Sequence, residues 1–190
     1  MPIRGLFIRI RDILKLNVID ITSNKTCDKK SLRDAIKKSL SSWKAFKKDC
    51  ANNYTYEKKE YYNFGRHYKK IYTTVENGKV VEAYETKHRF IVDSFSKFDV
   101  KKIANNTRDD LVEKRSLTTG EISKLKTLDE IYIFAKKLMR VSSRANDIFF
   151  EVNKEGLIAE AGFSPRDCVD SCFRGYHINS ITPLKASPER

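Results

Sequence analysis

The dipeptide Asn77-Gly78 is the feature that most restricts how this chain can fold. Asn and Gly both tolerate positive φ, which a two-residue type I′ turn requires at both central positions. The residues on either side of the dipeptide are rich in Val, Ile, Tyr and Thr, which favour strands. The sequence therefore predicts a β-hairpin over about 67–92.

Two helices and a second hairpin are predicted from the rest of the chain. Apolar residues recur at helical spacing over about 31–50, with Ser31 as the expected N-cap. A second helix is predicted over about 127–141, after a capping box opened by Thr127. A second hairpin is predicted over about 147–163.

The remaining segments give weaker patterns. Residues 51–60 are predicted to be a loop or the start of a helix, and residues 176–181 a last strand. Two capping-box spacings predict short helices between 94 and 126, namely Thr107 with Asp110 and Thr118 with Glu121. A further short helix is expected to begin at Pro165.

Alternating helices and hairpins favour an α+β fold with an antiparallel sheet of about five or six strands and four or five helices. A length of 190 residues fits a single domain, 1–190. Residues 1–50 form its basic N-terminal helical part, in which 3–21 fits a helix with a strand-like end. Residues 183–190 are expected to be a frayed tail.

Positive charge is concentrated in the first third of the chain. The net charge is +13, and residues 1–72 hold 18 Lys and Arg against 7 Asp and Glu. Residues 145–190 hold 5 basic and 7 acidic residues. This asymmetry favours one electropositive surface that attracts a polyanion, with nucleic acid ahead of anionic lipid and acidic proteins.

The composition also bears on the location of the protein. No apolar run approaches the length of a membrane span, and no secretory signal is recognised. An intracellular protein, in the cytoplasm or with the nucleoid or nucleus, is therefore expected, with its four cysteines reduced. Abundant Lys, Asn, Ile and Tyr are typical of AT-rich genomes such as those of some phages and viruses.

Basic residues gather on one side of the predicted helix 31–50, well away from its apolar side. We call them the basic ridge: Lys30, Arg33, Lys37, Lys44 and Lys48. Lys acts as a point charge, so a Lys-rich surface suits phosphate-backbone attraction better than the reading of base edges.

Aromatic residues are dense just before the Asn-Gly turn. Six of the nine tyrosines lie between residues 54 and 72, and basic residues are interleaved with them. If the strand alternates, Tyr68, Lys70 and Tyr72 share one face. Bases stack on exposed rings while cations hold the backbone, so the segment 61–72 is a candidate surface. Its candidate residues are Arg66, Tyr68, Lys69, Lys70 and Tyr72. The alternative is that these rings pack in the core.

Enzymatic motifs are weak. Glu85 and Lys87 resemble the E-x-K half of a metal-dependent nuclease core, in which Glu76 would be the second acid. Cys168, Cys172 and His177 lack the spacing of a zinc site, so buried, unliganded cysteines are expected. No catalytic residue, metal or cofactor is assigned.

Three functions follow, in order of preference. The first is a non-enzymatic protein that binds DNA or RNA, mainly at the phosphate backbone, through the basic ridge and the segment 61–72. The second is a protein–protein module, an inhibitor or an assembly component, that docks on an acidic partner. The third is a metal-dependent nuclease.

Overall fold

The structure is a computed structural model that describes residues 28–62, 67–92, 107–168 and 172–184. Its helices are α1 (Lys29–Asp49), α2 (Thr119–Ile122) and α3 (Leu128–Lys137), and a 3-10 turn (Leu138–Arg140) follows α3. Its strands are β1 (Tyr54–Tyr62), β2 (His67–Glu76), β3 (Lys79–Val92), β4 (Thr107–Ser116), β5 (Asn146–Val152), β6 (Ile158–Pro165) and β7 (Arg174–Pro183).

The seven described strands form one antiparallel sheet in the order β4-β3-β2-β1-β7-β6-β5. Strands β1 to β4 form one meander and β5 to β7 a second. Pairing of β7 with β1 joins the two meanders, so β1 lies in the middle of the sheet. The antiparallel α+β class is confirmed, with more strands than the five or six expected.

Both longer helices cover one face of the sheet, which we call the helix face. Trp43 of α1 lies at the centre of this layer. Its ring meets Tyr54 of β1 edge-on at 5.1 Å and stacks on Tyr132 of α3 at 6.1 Å. All three side chains are at most 1% exposed. Burial of large rings of this kind supplies much of the hydrophobic stabilisation of a small domain.

Tyrosine hydroxyls connect the two helices to the sheet. The Tyr132 hydroxyl is 2.8 Å from Ser39 Oγ of α1 and accepts the Ile158 backbone N–H of β6 at 3.1 Å. The Tyr54 hydroxyl accepts the Leu128 N–H at the start of α3. Burial is the main cause of the raised pKa of both phenols.

The predicted 67–92 hairpin is confirmed, with Asn77 at φ 50° and Gly78 at φ 74°. The turn docks on the residues that follow α1, since the Asn77 N–H donates to Asn53 Oδ1 at 2.8 Å. A Cβ at Gly78 would lie 2.3 Å from Asn52 Nδ2, so the Asn52 side chain would have to move, and the φ of 74° favours glycine at this position.

The second predicted hairpin is present as β5 and β6, and the predicted last strand as β7. The capping boxes at Thr118 and Thr127 are both formed. Each box begins its helix, α2 or α3, with two reciprocal hydrogen bonds between the threonine and the glutamate three residues later.

Other local predictions were wrong. Helix α1 begins at Lys29, after Asp28, so Ser31 lies inside its first turn and does not cap it. The segment 51–60 was predicted as a loop or helix start, but from Tyr54 onward it belongs to the central strand β1, because Tyr54 and Tyr56 alternate into the core. Thr107 begins strand β4, where a helix was expected.

The C-terminal segment also differs from expectation. Pro165 ends β6 and opens no helix in the described residues around it. Pro183 belongs to β7, and the Leu184 N–H donates to Asn53 O, so the first two residues of the expected tail are held. The segment 3–21 lies outside the described residues.

Within the described part of the chain, no helix combines the length and the apolar character that a membrane crossing requires.

Replacement of Tyr132 by Phe tests the hydroxyl connection. The change leaves the ring in place but removes the acceptor of the buried Ile158 N–H, and an unsatisfied buried donor costs about 1–3 kcal/mol. We expect urea denaturation to show a free energy of unfolding lower by that amount. Tyr84→Phe, at a half-buried ring of β3 whose hydroxyl forms no hydrogen bond within the described residues, is the control and should change stability by less than about 0.5 kcal/mol. Equal stability of the two variants would contradict the assignment.

Candidate nucleic-acid interface

The basic ridge lies on the outside of α1. The buried side chains of this helix, among them Leu32, Ile36 and Trp43, point at the sheet and at α3. All five ridge side chains are exposed. At 1.5 Å rise per residue, the ridge extends about 27 Å from Lys30 to Lys48. The structure therefore places the five cations in one line along a packed helix.

The ridge cations form no salt bridge with a carboxylate of the described residues, whereas several cations elsewhere in the protein do. Salt bridges of 2.5 to 2.9 Å are formed by Lys47, Lys58, Lys69, Lys87, Arg115 and Lys126. In the described ranges, none of the five ridge cations lies within 4 Å of a carboxylate oxygen, although Asp34 is on the same helix. Within those ranges, the positive charge of the ridge is therefore not neutralised by a carboxylate of the protein.

The segment 67–72 lies elsewhere. Strand register places Tyr68, Lys70 and Tyr72 on the face of the sheet opposite the helices, which we call the far face. Their common face was predicted from alternation. Lys69 lies on the helix face, beyond the helices, where it pairs with Glu60 at 2.9 Å. Arg66 lies outside the described residues. The ridge and this segment therefore do not form one continuous surface.

Tyr68 is enclosed by its neighbours. Its ring stacks on His88 of β3 with centroids 4.8 Å apart and planes within 3°. Lys59 Nζ, from β1 on the other side, lies 3.9 Å from the Tyr68 centroid. Tyr68 is 1% exposed. Both ring faces are covered, so the structure does not favour stacking of a base on Tyr68.

Tyr72 is part of a similar row. Its ring stacks on Tyr84 of β3 at 4.5 Å, and Lys114 Nζ of β4 lies 4.7 Å from the Tyr84 centroid. Lys70 is 3.7 Å from Glu57, a buried carboxylate of β1. Burial, followed by the nearby Glu57 charge, raises the pKa of Tyr72. These contacts are cross-strand stacking and cation–π pairs that stabilise the sheet.

Sequence reasoning missed the partners in these rows, namely Lys59, Tyr84, His88 and Lys114. Strand alternation gives the face of each residue but not its neighbour, because that depends on register. The pairing of β2 with β3 shifts between Thr74 and Val75, where Val81 is the extra residue on β3. Counting back from the turn alone would pair Tyr72 with Ala83, on the wrong face.

Two residues of the nuclease hypothesis, Glu85 and Lys87, line a charged cleft of about 470 Å³ on the helix face. Glu85 is buried there and accepts a bond from Arg115 Nε at 2.9 Å, while Lys87 pairs with Glu113 at 2.7 Å. Glu76 is five residues from Ile71, the partner of Glu85, which is about 16 Å along the strand. The geometry does not assemble the second acid with Glu85.

Metal ligation has no support in the described residues, which contain no cluster of three or more His, Cys, Asp or Glu able to hold an ion.

Cys168 and Cys172 are paired in a disulfide, which corrects the expectation that both are reduced. Cys50 is a free thiol. His177 stacks on Phe173 at 4.1 Å and lies 3.4 Å from Glu160, so its ring has packing partners on the far face.

When the chain is compared with models of protein families, with curated proteins and with solved structures, none of them matches it.

Replacement of Tyr68 by Leu separates a packing role from a binding role. The variant loses the ring between Lys59 and His88, so we expect a free energy of unfolding lower by about 1–3 kcal/mol. We expect the affinity of the folded variant for a random oligonucleotide to stay within about twofold of the parent. A tenfold loss of affinity at unchanged stability would instead support the stacking hypothesis.

Acid titration tests the network around Arg115. The Arg115 guanidinium, then the backbone N–H and hydroxyl of Thr118, lower the pKa of Glu121 from its ordinary value of 4.5 to about 2. A lowered folded-state pKa contributes stability above the unfolded value, and that stability is lost as pH falls through the folded value. We expect Glu121→Gln to be less stable than the parent at pH 7.

The measurement is the urea denaturation midpoint of the parent and of Glu121→Gln at several pH values. The difference between the two midpoints should shrink between about pH 4.5 and pH 2, where the Glu121 carboxylate of the parent becomes protonated. Glu82→Gln, at an exposed residue of β3, is the control. A difference that stays constant over this pH range would contradict the assignment.

Proposed function

We propose that this protein is a non-enzymatic nucleic-acid-binding protein that contacts the phosphate backbone through the basic ridge of α1. The observation that carries the proposal is the line of five exposed cations over about 27 Å, none of which pairs with a carboxylate of the described residues. An unneutralised line of this length attracts a polyanion, and each phosphate it neutralises releases condensed counterions.

The helix that carries the ridge is well suited to hold charge in place. Trp43 is buried and its Nε1 donates to Asp129 of α3 at 2.9 Å, so α1 is fixed to the rest of the helix layer. A fixed helix presents its cations without an ordering cost for the backbone. Four of the five ridge residues are Lys, which supports backbone contact without base reading.

The segment 61–72 has a smaller place in this proposal than its composition suggested. Tyr68 and Tyr72 stack on His88 and Tyr84, and Lys70 lies near Glu57. We therefore rest the proposal on the ridge and expect mostly sequence-independent binding.

Neutralising the ridge gives the direct test. A variant with Lys30, Arg33, Lys37, Lys44 and Lys48 all changed to Gln loses five cations without loss of helix propensity. For duplex DNA, the slope of log affinity against log salt should decrease in magnitude by about 4–5. Fluorescence anisotropy with a random-sequence duplex at several salt concentrations measures this slope.

The matched control changes the four ridge lysines to Arg, which keeps the charge and should keep the slope. Parent affinity that hardly changes with salt would refute the proposal. The acidic-protein alternative predicts a different outcome: a partner captured by the parent, lost by the Gln variant, and still captured after nuclease treatment of the lysate.

A further inference from the structure

The helix layer carries a second set of exposed cations that the sequence analysis did not assign to any site. Helix α3 ends in Lys136 and Lys137, and Arg140 follows in the 3-10 turn. All three side chains are exposed. In the residues that the structure describes, none of the three forms an ion pair with a carboxylate.

Contacts between the helices show where these cations lie. Ser39 of α1 contacts Tyr132 of α3, and Trp43 and Lys47, further along α1, contact Asp129. Residues later in α1 therefore contact residues earlier in α3, so the two helices are antiparallel. The end of α3 lies beside the beginning of α1, and α1 also contacts the 3-10 turn.

The direction of Lys136 follows from helical periodicity. Asp129 projects toward α1, since it accepts bonds from Trp43 Nε1 and Lys47 Nζ. Lys136 is seven residues later, which is about 10 Å along α3 and about 20° from the direction of Asp129. It therefore projects from the α1 side of α3, level with the first half of the ridge.

Charge is distributed unequally between the two ends of this helix pair. At the first end, the beginning of α1 with Lys30, Arg33 and Lys37 is level with the end of α3 and the 3-10 turn. The nearby acidic residues, Asp28 before α1 and Asp34 within it, are exposed and form no ion pair in the described ranges. At the other end, Asp129 pairs with Lys47 and Glu130 pairs with Lys126. Unbalanced positive potential is thus concentrated at the first end.

We propose that Lys136, Lys137 and Arg140 form part of the phosphate-binding surface, which spans two helices and is centred on the first half of α1. This inference rests on the proposed function, because it names further contacts for the same polyanion. Cations on two neighbouring helices provide a surface that can contact several backbone phosphates at once.

Basic residues in the last turn of a helix also complement the helix dipole, which is the ordinary explanation of Lys136 and Lys137. Dipole complementation predicts a change in stability alone, whereas phosphate contact predicts a change in affinity and in its salt dependence. Arg140 lies past the last turn of α3, where the dipole explanation is weakest.

The test compares two triple variants that remove the same charge. One is K136Q/K137Q/R140Q, and the control is K79Q/K114Q/K124Q at exposed residues outside this surface. With a random-sequence duplex at about 100 mM salt, we expect the α3 variant to lose at least about tenfold in affinity and its salt slope to decrease by about 2–3. The control should change affinity by no more than about threefold, through net charge. Urea denaturation confirms that both variants are folded.

A second comparison tests where the surface is centred. We expect R33Q/K37Q to lose more affinity than K44Q/K48Q, although both remove two cations from the ridge. An α3 variant that behaves like its control, or equal losses from the two double variants, would overturn the inference. Salt-dependent binding by the parent would still support the proposed function in that case, and its absence would refute the proposed function itself.

Discussion

The buried cluster of Trp43, Tyr54 and Tyr132 is the interaction on which the rest of the structure depends, because each ring comes from a different element of the core. Trp43 brings α1, Tyr54 brings the central strand, and Tyr132 brings α3. The hydroxyl groups add direction, since Tyr132 reaches Ser39 and the backbone of Ile158. Hydrophobic burial brings these elements together, and the polar bonds fix their rotation and register.

Rotation of α1 determines where its charges lie. Because Leu32, Ile36 and Trp43 face the core, the ridge must face away from it. Trp43 and Lys47 hold Asp129 at the other end of the helix pair, where Glu130 pairs with Lys126. The electrostatic asymmetry of the helix layer is thus a consequence of core packing, and a change that rotated α1 would alter both together.

The sequence allowed some of these features to be predicted and not others. Turn chemistry at Asn77-Gly78 and the capping box at Thr127 are local rules, and both are obeyed. Strand β1 was missed because its second half is charged. Lys58 and Glu60 pair within the strand, and lysines of β2 lie near Glu57 and Glu60. The exposed ridge could be anticipated from periodicity, whereas the cations of α3 join it through a helix contact that no local pattern contains.

Unpaired charge is better evidence for a polyanion site here than aromatic content. Tyrosines interleaved with lysines suit base stacking, but they also suit one another across strands, as Lys59, Tyr68 and His88 show. A ring with both faces covered has already used the interaction that a base would need. A lysine without a carboxylate nearby can still form an ion pair with a phosphate of a partner. In this protein, that difference separates the far face of the sheet from the outer surface of the helices.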